Sequence, residues 1–372
     1  MKKRIGIMSC NIYCNFTNYG SALQTYALQK VVNSISPADL EAVVMDYCPD
    51  TMLDKDILNP FKHMWDKDDQ ARRMCELTLP AIKVNNDKFN EFYKKNYNLS
   101  HKYTSKNFSP TVARENISGY VVGSDTVFCL EEFNFDRGYF ADYPEMRGNT
   151  FSYAASFGDS HFTPESLKRL DALLQNFNAL GIREEKMLPY IKNKVSVVAE
   201  KTIDPTLLLK AEDYYDITTE PPYYGPYLLI YARRYSAGME KYARELASKK
   251  GLKIVEISLR ATNSELGHIM RYDAGVEEFL GLVKNAAVVI TNSFHGMIFA
   301  VQFRRPFVAF SRDQCSSKIQ ELLNIFGLKD KLLTKENIPE PEVNDYDEVH
   351  RRIDTYRKSS LSFLEKEIRK YL

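Results

Sequence analysis

Residues Ala286–Phe303 read AAVVITNSFHGMIFAVQF. The uncharged run AAVVI fits a strand buried on both faces, and the apolar run after Gly296 fits a buried helix. Between them stands TNSFHG (Thr291–Gly296), a polar turn where a parallel strand hands over to a helix. In an open α/β sheet ligands bind at such turns, because the first N–H groups of the helix lack partners and face the carboxyl end of the strand. Ser293 and His295 then stand at a ligand. The alternative is that Ser293 only caps the helix and His295 satisfies a carbonyl at the domain surface.

The same rhythm runs outward from this stretch. Upstream lie YLLIYARR (Tyr227–Arg234), a helix around Lys241–Ser248, the strand KIVEISL and the helix EEFLGLVKNA; downstream comes the strand PFVAF. Nearer the N-terminus, Arg4–Cys10 reads as a strand, SALQTYALQKVV as a helix through Leu23, Ala27 and Val31, and Glu41–Tyr47 as a second strand. GYVVGSD, TFSYAAS, ALGIRE and VSVVAE continue the series. Between two of them Leu167, Leu170, Leu174 and Phe177 define one apolar helical face. The expectation is two doubly wound α/β halves, residues 1–208 and 209–372, with a cleft between them. Residues from about 53 to 107 break the rhythm and are expected to be a mainly helical insertion. The charged final helix, ending LSFLEKEIRKYL, is expected to pack back on the first half.

A chain of 372 residues exceeds the size at which one hydrophobic core stops growing, which supports two domains. Lys and Arg number 50 against 49 for Asp and Glu, so no net field favours a nucleic acid or an anionic membrane. Nucleic acid is therefore not expected as a partner. Asn11 and Asn15 interrupt the apolar opening MKKRIGIMSC before it could serve as a leader or a membrane span, and a cytoplasmic location is expected. Cys10, Cys14, Cys48, Cys75, Cys129 and Cys315 lack the paired spacing of a zinc site; buried reduced thiols and no metal are expected.

Three further turns carry polar residues. NYGSALQTYALQ places Asn18, Tyr19 and Gly20 in the first strand-to-helix turn, as cleft residues or as a plain turn. VVGSDTVF puts Ser124 and Asp125 beyond a strand end; Asp125 can act as general base, bind a hydroxyl or cap a helix. GIREEK offers Arg183, which can fork onto a carboxylate or phosphate, or pair with Glu184 and Glu185.

In order along the chain, NYGSALQTYALQ, VVGSD, SYAASFG, GIREE, DPTLLL, GVEEFLGLV and TNSFHGMIFAV resemble the motifs of the polysaccharide pyruvyl transferase family. The resemblance spans residues 5 to about 310. It implies a GT-B-like fold of two Rossmann-type domains, phosphoenolpyruvate as donor substrate with no cofactor, and transfer of its enolpyruvyl unit to two hydroxyls of a sugar as a pyruvate ketal. It implies a saccharide acceptor too; a lipid-linked one would bring the chain to the inner membrane face. His295 and Arg183 carry over as acid and donor-binding residue, with Phe294 and Gly296 at the helix N-terminus. Asp125 is then expected to take the proton of the attacking hydroxyl. Relatives have Arg-Leu-His where this chain has Ser293, Phe294 and His295, so one cation is missing; Arg233, Arg234, Arg312 and Lys318 are candidates to replace it. Trp65, Phe89, Phe92 and Tyr93 either stack on sugar rings or pack a helical core. Two other functions fit the same fold: a glycosyltransferase using a nucleotide-sugar, and a non-catalytic glycan- or metabolite-binding protein.

Overall fold

Seven parallel strands form the first sheet: β1 (Lys3–Met8), β2 (Leu40–Tyr47), β3 (Leu99–Tyr103), β4 (Ile117–Val122), β5 (Thr150–Ala155), β6 (Ala179–Ile182) and β7 (Val198–Lys201), in the order β3-β2-β1-β4-β5-β6-β7. Six parallel strands form the second: β8 (Tyr227–Tyr231), β9 (Lys253–Ile257), β10 (Ile269–Met270), β11 (Val288–Thr291), β12 (Phe307–Phe310) and β13 (Leu332–Leu333), in the order β10-β9-β8-β11-β12-β13. This is a computed structural model; it describes residues 2–10, 12–13, 17–56, 58, 69–233, 236–258, 261–312, 316–335 and 337–371, with backbone only at 69–77 and 261–262. Trp65, Cys14, Cys315, Arg234 and the side chain of Cys75 lie outside the described residues. Among the described cysteines, Cys10 and Cys48 are buried and Cys129 is half-buried.

Both sheets reverse their winding once, between β1 and β4 and between β8 and β11. At these two places neighbouring strands send their following loops to opposite faces, which opens a crevice. The register makes the crevices level: Met8 pairs with Val122, and Tyr231 with Thr291. Asp125 leaves the first crevice, and Arg233 and Ser293 leave the second.

The helix Tyr19–Ile35 follows β1 and is buried on nearly every face of its first half. One face lies on the first sheet and another on the helices Val276–Asn285 and Phe294–Gln302 of the second domain. Tyr19 stacks on Phe279 with ring centroids 4.7 Å apart and donates its hydroxyl to the Ala274 carbonyl at 2.7 Å. The domain interface is thus packed like a core, and one continuous cluster of buried residues runs through both domains.

The stretch read as an insertion is a crossover. The helix Asp69–Asn96 connects β2 to β3, an edge strand whose Leu99 pairs with Val44. Phe89 packs against Tyr19 and Phe92 against Tyr26, so these aromatics belong to the core. The strand LSHKY escaped the sequence reading because an edge strand needs no continuous apolar run and often carries charge.

The final helix, Tyr346–Ile368, starts on the second domain, where His350 Nε2 lies 3.2 Å from the Val301 carbonyl, and ends on the first. There Arg357 donates to the Leu207 carbonyl (2.7 Å), Ser360 accepts from the Ile203 N–H (3.0 Å), and Phe363 packs on Phe151 and Tyr153. Among the described residues no helix is long and apolar enough to cross a membrane. Phe363 is 3% exposed. Phe363→Ala is expected to destabilise the chain by about 3–5 kcal/mol, read as a lower urea midpoint with unchanged slope.

Candidate functional site

Each sequence-nominated residue lies beyond the carboxyl end of a strand: Asn18, Tyr19 and Gly20 after β1, Ser124 and Asp125 after β4, Arg183 after β6, Arg233 after β8, Ser293 to Gly296 after β11, and Arg312 and Lys318 after β12. Parallel strands deliver all these loops to one end of each sheet. The two ends face each other.

Several of these residues serve the scaffold instead of facing a ligand. Asn18 caps the helix Tyr19–Ile35, accepting from the N–H groups of Gly20 (3.1 Å) and Ser21 (3.3 Å). Tyr19 is taken up in the domain interface. Ser124 is fully buried; its N–H donates to Gln24 Oε1 (3.0 Å) and its hydroxyl to the Ala154 carbonyl (2.8 Å). Ser293 caps its helix by accepting from the Gly296 N–H at 3.3 Å. At Gly296 a Cβ would lie 2.4 Å from Thr291 Oγ1, so that glycine permits helix-to-strand packing. Gly20 has a sharper role: a Cβ there would fall 1.9 Å from Nδ1 of His295. The absent side chain lets the histidine of one domain reach the backbone of the other.

His295 does not satisfy a carbonyl. Its Nε2 lies 3.3 Å from Asp204 Oδ2, within ion-pair reach though not in hydrogen-bond alignment. The same oxygen accepts from Arg183 Nη1 at 3.0 Å. Arg183 Nη2 is 3.6 Å from Asp125 Oδ1, its Nε is 3.4 Å from Glu184 Oε1, and its guanidinium lies over the Phe294 ring at 4.7 Å. Arg183, Asp204 and His295 are each less than 9% exposed, so a guanidinium, an imidazole and several carboxylates share one dry volume.

Asp204 escaped the sequence reading as a site residue, although DPTLLL stood among the motifs. Its Oδ1 accepts from the N–H and hydroxyl of Thr206 (3.0 and 2.6 Å), closing a short turn that leaves Oδ2 aimed at Arg183 and His295. Burial pushes its carboxyl up, but the charge and contact of His295, then Arg183 and Thr206, outweigh it and hold the group well below the usual range. Asp125 behaves alike. Burial raises it, whereas Arg183, His295, Lys318 and the Ser21 hydroxyl at 2.6 Å leave it lowered and ionised.

The remaining cations differ in how they are engaged. Arg233 bridges the domains, donating its backbone N–H to Asn292 Oδ1 (2.9 Å) and its Nη1 to the Thr17 carbonyl (3.2 Å). Arg312 has a buried Nε with no hydrogen-bond partner among the described residues. Lys318 is 6% exposed and lines a crevice with Arg183, Glu184, Asp204, Phe294 and Glu321. It stands on the helix Ser316–Phe326, which is tied to the first domain by the ion pair Lys201–Glu321, the hydrogen bond Ser317–Asp159 and the Glu185 N–H donating to Glu321 at 3.1 Å.

A family model described as polysaccharide pyruvyl transferase matches residues 18–314, a span that holds every motif above. The chain belongs to the polysaccharide pyruvyl transferase family. A comparison with curated protein sequences returns no match. Among solved structures, this chain is similar to the Staphylococcus aureus MnaA–UDP co-structure, at 16% identity over 95% of this chain and 87% of that one, with a TM-score of 0.50. It also matches UDP-GlcNAc 2-epimerase from Neisseria meningitidis bound to UDP-GlcNAc (10% identity, 99% of each chain, TM-score 0.46) and ADP-heptose heptosyltransferase II from Escherichia coli (10%, 96% and 99%, TM-score 0.37). Such likeness concerns the fold. The architecture is GT-B-like, with two parallel α/β sheets facing across a cleft.

Two variants check this geometry. Asp204 has a depressed carboxyl, so its contribution to stability is present above the unfolded value of about 3.9 and is lost as pH falls through the folded one. Asp204→Asn is therefore expected to cost about 3–5 kcal/mol at pH 7, measured by urea unfolding, with the gap to wild type closing below about pH 4. Gly20→Ala would ordinarily favour a helix by up to about 1 kcal/mol. Here it is expected to lower the melting temperature, because the new methyl must displace His295.

Proposed function

We propose that this chain takes phosphoenolpyruvate as donor and builds a pyruvate ketal on two hydroxyls of a sugar in a cell-surface polysaccharide or its precursor. One observation carries the reading: His295, backed by the ionised Asp204, stands at a helix N-terminus, and Lys318, a cation without an ion pair among the described residues, lines the crevice that Asp204 and Phe294 share. Phosphoenolpyruvate needs such surroundings, since it brings a phosphate and a carboxylate that require cations and N–H donors.

In this reaction C3 of the donor gains a proton and becomes the ketal methyl, C2 bonds to two sugar oxygens, and phosphate departs. Asp204 is the counter-charge for the protonated imidazole that hands a proton to the leaving phosphate. The N–H groups at Phe294 and His295, Lys318 and Arg312 hold the anion. Arg183 is occupied by carboxylates and organises Asp204 and Asp125 around the donor. Asp125, held ionised below its usual range, is a weak base and an electrostatic partner of Arg183. A lipid-linked acceptor would bring the enzyme to the inner face of the membrane.

Calorimetric titration with phosphoenolpyruvate, run beside a panel of nucleotide-sugars, tests the donor. Lys318→Gln and Arg312→Gln are each expected to weaken phosphoenolpyruvate binding roughly tenfold or more, the value of one lost charge-assisted contact. His295→Ala is expected to bind the donor yet release no phosphate. Preference for a nucleotide-sugar would instead make the chain a glycosyltransferase, and donor binding without turnover across acceptors would make it a non-catalytic relative.

A further inference from the structure

Arg183, Glu184, Asp204, Phe294, Lys318 and Glu321 line one crevice between the domains, and most of its polar atoms already engage one another. Arg183 is held by three carboxylates, Asp204 by Arg183, His295 and Thr206, and Glu321 by Lys201 and the Glu185 N–H. Two lining groups differ. Lys318, from the second domain, makes no ion pair among the described residues, and Oε2 of Glu184, from the first, is buried without a hydrogen-bond partner among them.

Glu184 follows β6 and is 7% exposed. Its other oxygen, Oε1, is fixed twice, accepting from the Ser156 hydroxyl and from Arg183 Nε at 3.4 Å. Ser156 Oγ accepts in turn from the Gly158 N–H at 3.1 Å, so the turn after β5 directs the serine proton toward Glu184. Lys318 meets the same turn: a Cβ at Gly158 would lie 3.6 Å from its Nζ. With Oε1 anchored, the carboxyl group cannot swing to offer Oε2 to another protein donor. A buried acceptor without a partner costs about 1–3 kcal/mol, and more when it is charged, so this atom suits a ligand that brings a donor.

The polarity of the two groups selects their ligands. Fully ionised phosphoenolpyruvate presents oxygen acceptors and no N–H or O–H, so it can engage Lys318 but cannot satisfy Oε2 of Glu184. A sugar hydroxyl can. Ile203, Leu207, Leu322 and Ile325 line the rest of the crevice and offer apolar contact to the C–H groups of a sugar. We propose that Glu184, with Oε1 fixed by Ser156 and Arg183, receives a hydroxyl of the acceptor sugar on Oε2, in the crevice it shares with Lys318. The proposal rests on the pyruvyl-transfer reading above and adds to it a subsite for the acceptor. The anionic donor is then held by a cation of the second domain and the acceptor by a carboxyl group of the first, so hydrogen-bond polarity keeps each substrate on its own side of the crevice.

Crystals of the wild-type protein soaked with a panel of methyl hexosides test the contact directly. Density is expected to place one sugar hydroxyl within hydrogen-bond distance of Glu184 Oε2. Water alone there in every soak, or a hexoside bound only elsewhere, would overturn the proposal. The hydroxyl found in this way selects a deoxy analogue for a titration cycle with Glu184→Gln, whose amide keeps an oxygen for Ser156 and turns an N–H toward the crevice. The variant is expected to bind the hexoside about tenfold or more weakly and the deoxy analogue as wild type does. Equal losses for the two sugars would mark a residue that only supports the fold and would overturn the proposal. Affinity for phosphoenolpyruvate is expected to stay within about threefold of wild type, whereas a loss of about tenfold or more would show that Glu184 acts on the donor through Arg183. If the variant does not fold, the wild-type soaks decide alone. A wild type that takes a hexoside at Glu184 but binds no phosphoenolpyruvate would overturn the donor reading and leave this subsite standing.

Discussion

One oxygen of Asp204 is shared between a guanidinium of the first domain and an imidazole of the second, and most of the site is arranged around that sharing. Charges this far from water cost several kcal/mol each unless partners surround them, and removing one partner strands the others. Arg183 is stable in its pocket because Asp204, Asp125 and Glu184 offset its burial; Asp204 stays ionised because Arg183 and His295 offset its own. Thr206 fixes the second oxygen of Asp204, so a short turn sets the direction in which the shared oxygen points. The packing of the two domains and the completeness of the charge cluster therefore depend on each other.

Such a cluster holds its geometry only if the domains cannot slide. The interface supplies this through close packing. Tyr19 lies against Phe279 and Tyr231, its hydroxyl takes the Ala274 carbonyl, and Lys88 reaches Asp273 and Glu278 across the same boundary. On the other rim Lys201 and Glu185 engage Glu321. The last helix straps the halves a third time. Exposed ion pairs contribute little individually, so the rigidity comes from the buried aromatic contacts, with the charges fixing register.

The parallel order of strands was legible because a parallel strand covered on both faces must be apolar throughout; YLLIY, AVVI and FVAF could not be read otherwise. Of the four edge strands only β7 was read, as VSVVAE; β3 carries His101 and Lys102, and β10 and β13 span two residues each. His295, Arg183 and Asp125 could be nominated from the sequence because each follows a strand end. Asp204 was passed over because aspartate before proline is the ordinary signature of a turn, and here the same residue closes a turn with one oxygen and serves the site with the other. Tyr19 and Ser124 misled for the converse reason: polar atoms at a strand end suggest a ligand, but these are spent on the neighbouring domain and on the sheet.

Serine in place of arginine at position 293 follows from this charge balance. Arg183 is already matched by three carboxylates, so its own charge is spent within the cluster. Ser293 contributes a helix cap, which orders the turn without adding charge. Lys318 and Arg312, which make no ion pair among the described residues, stand beyond β12, next in sheet order to the strand that precedes His295. Lys318 stands on a helix that Glu321 and Ser317 pin to the first domain, so contacts across the domain boundary fix its place in the crevice it lines with Asp204 and Phe294.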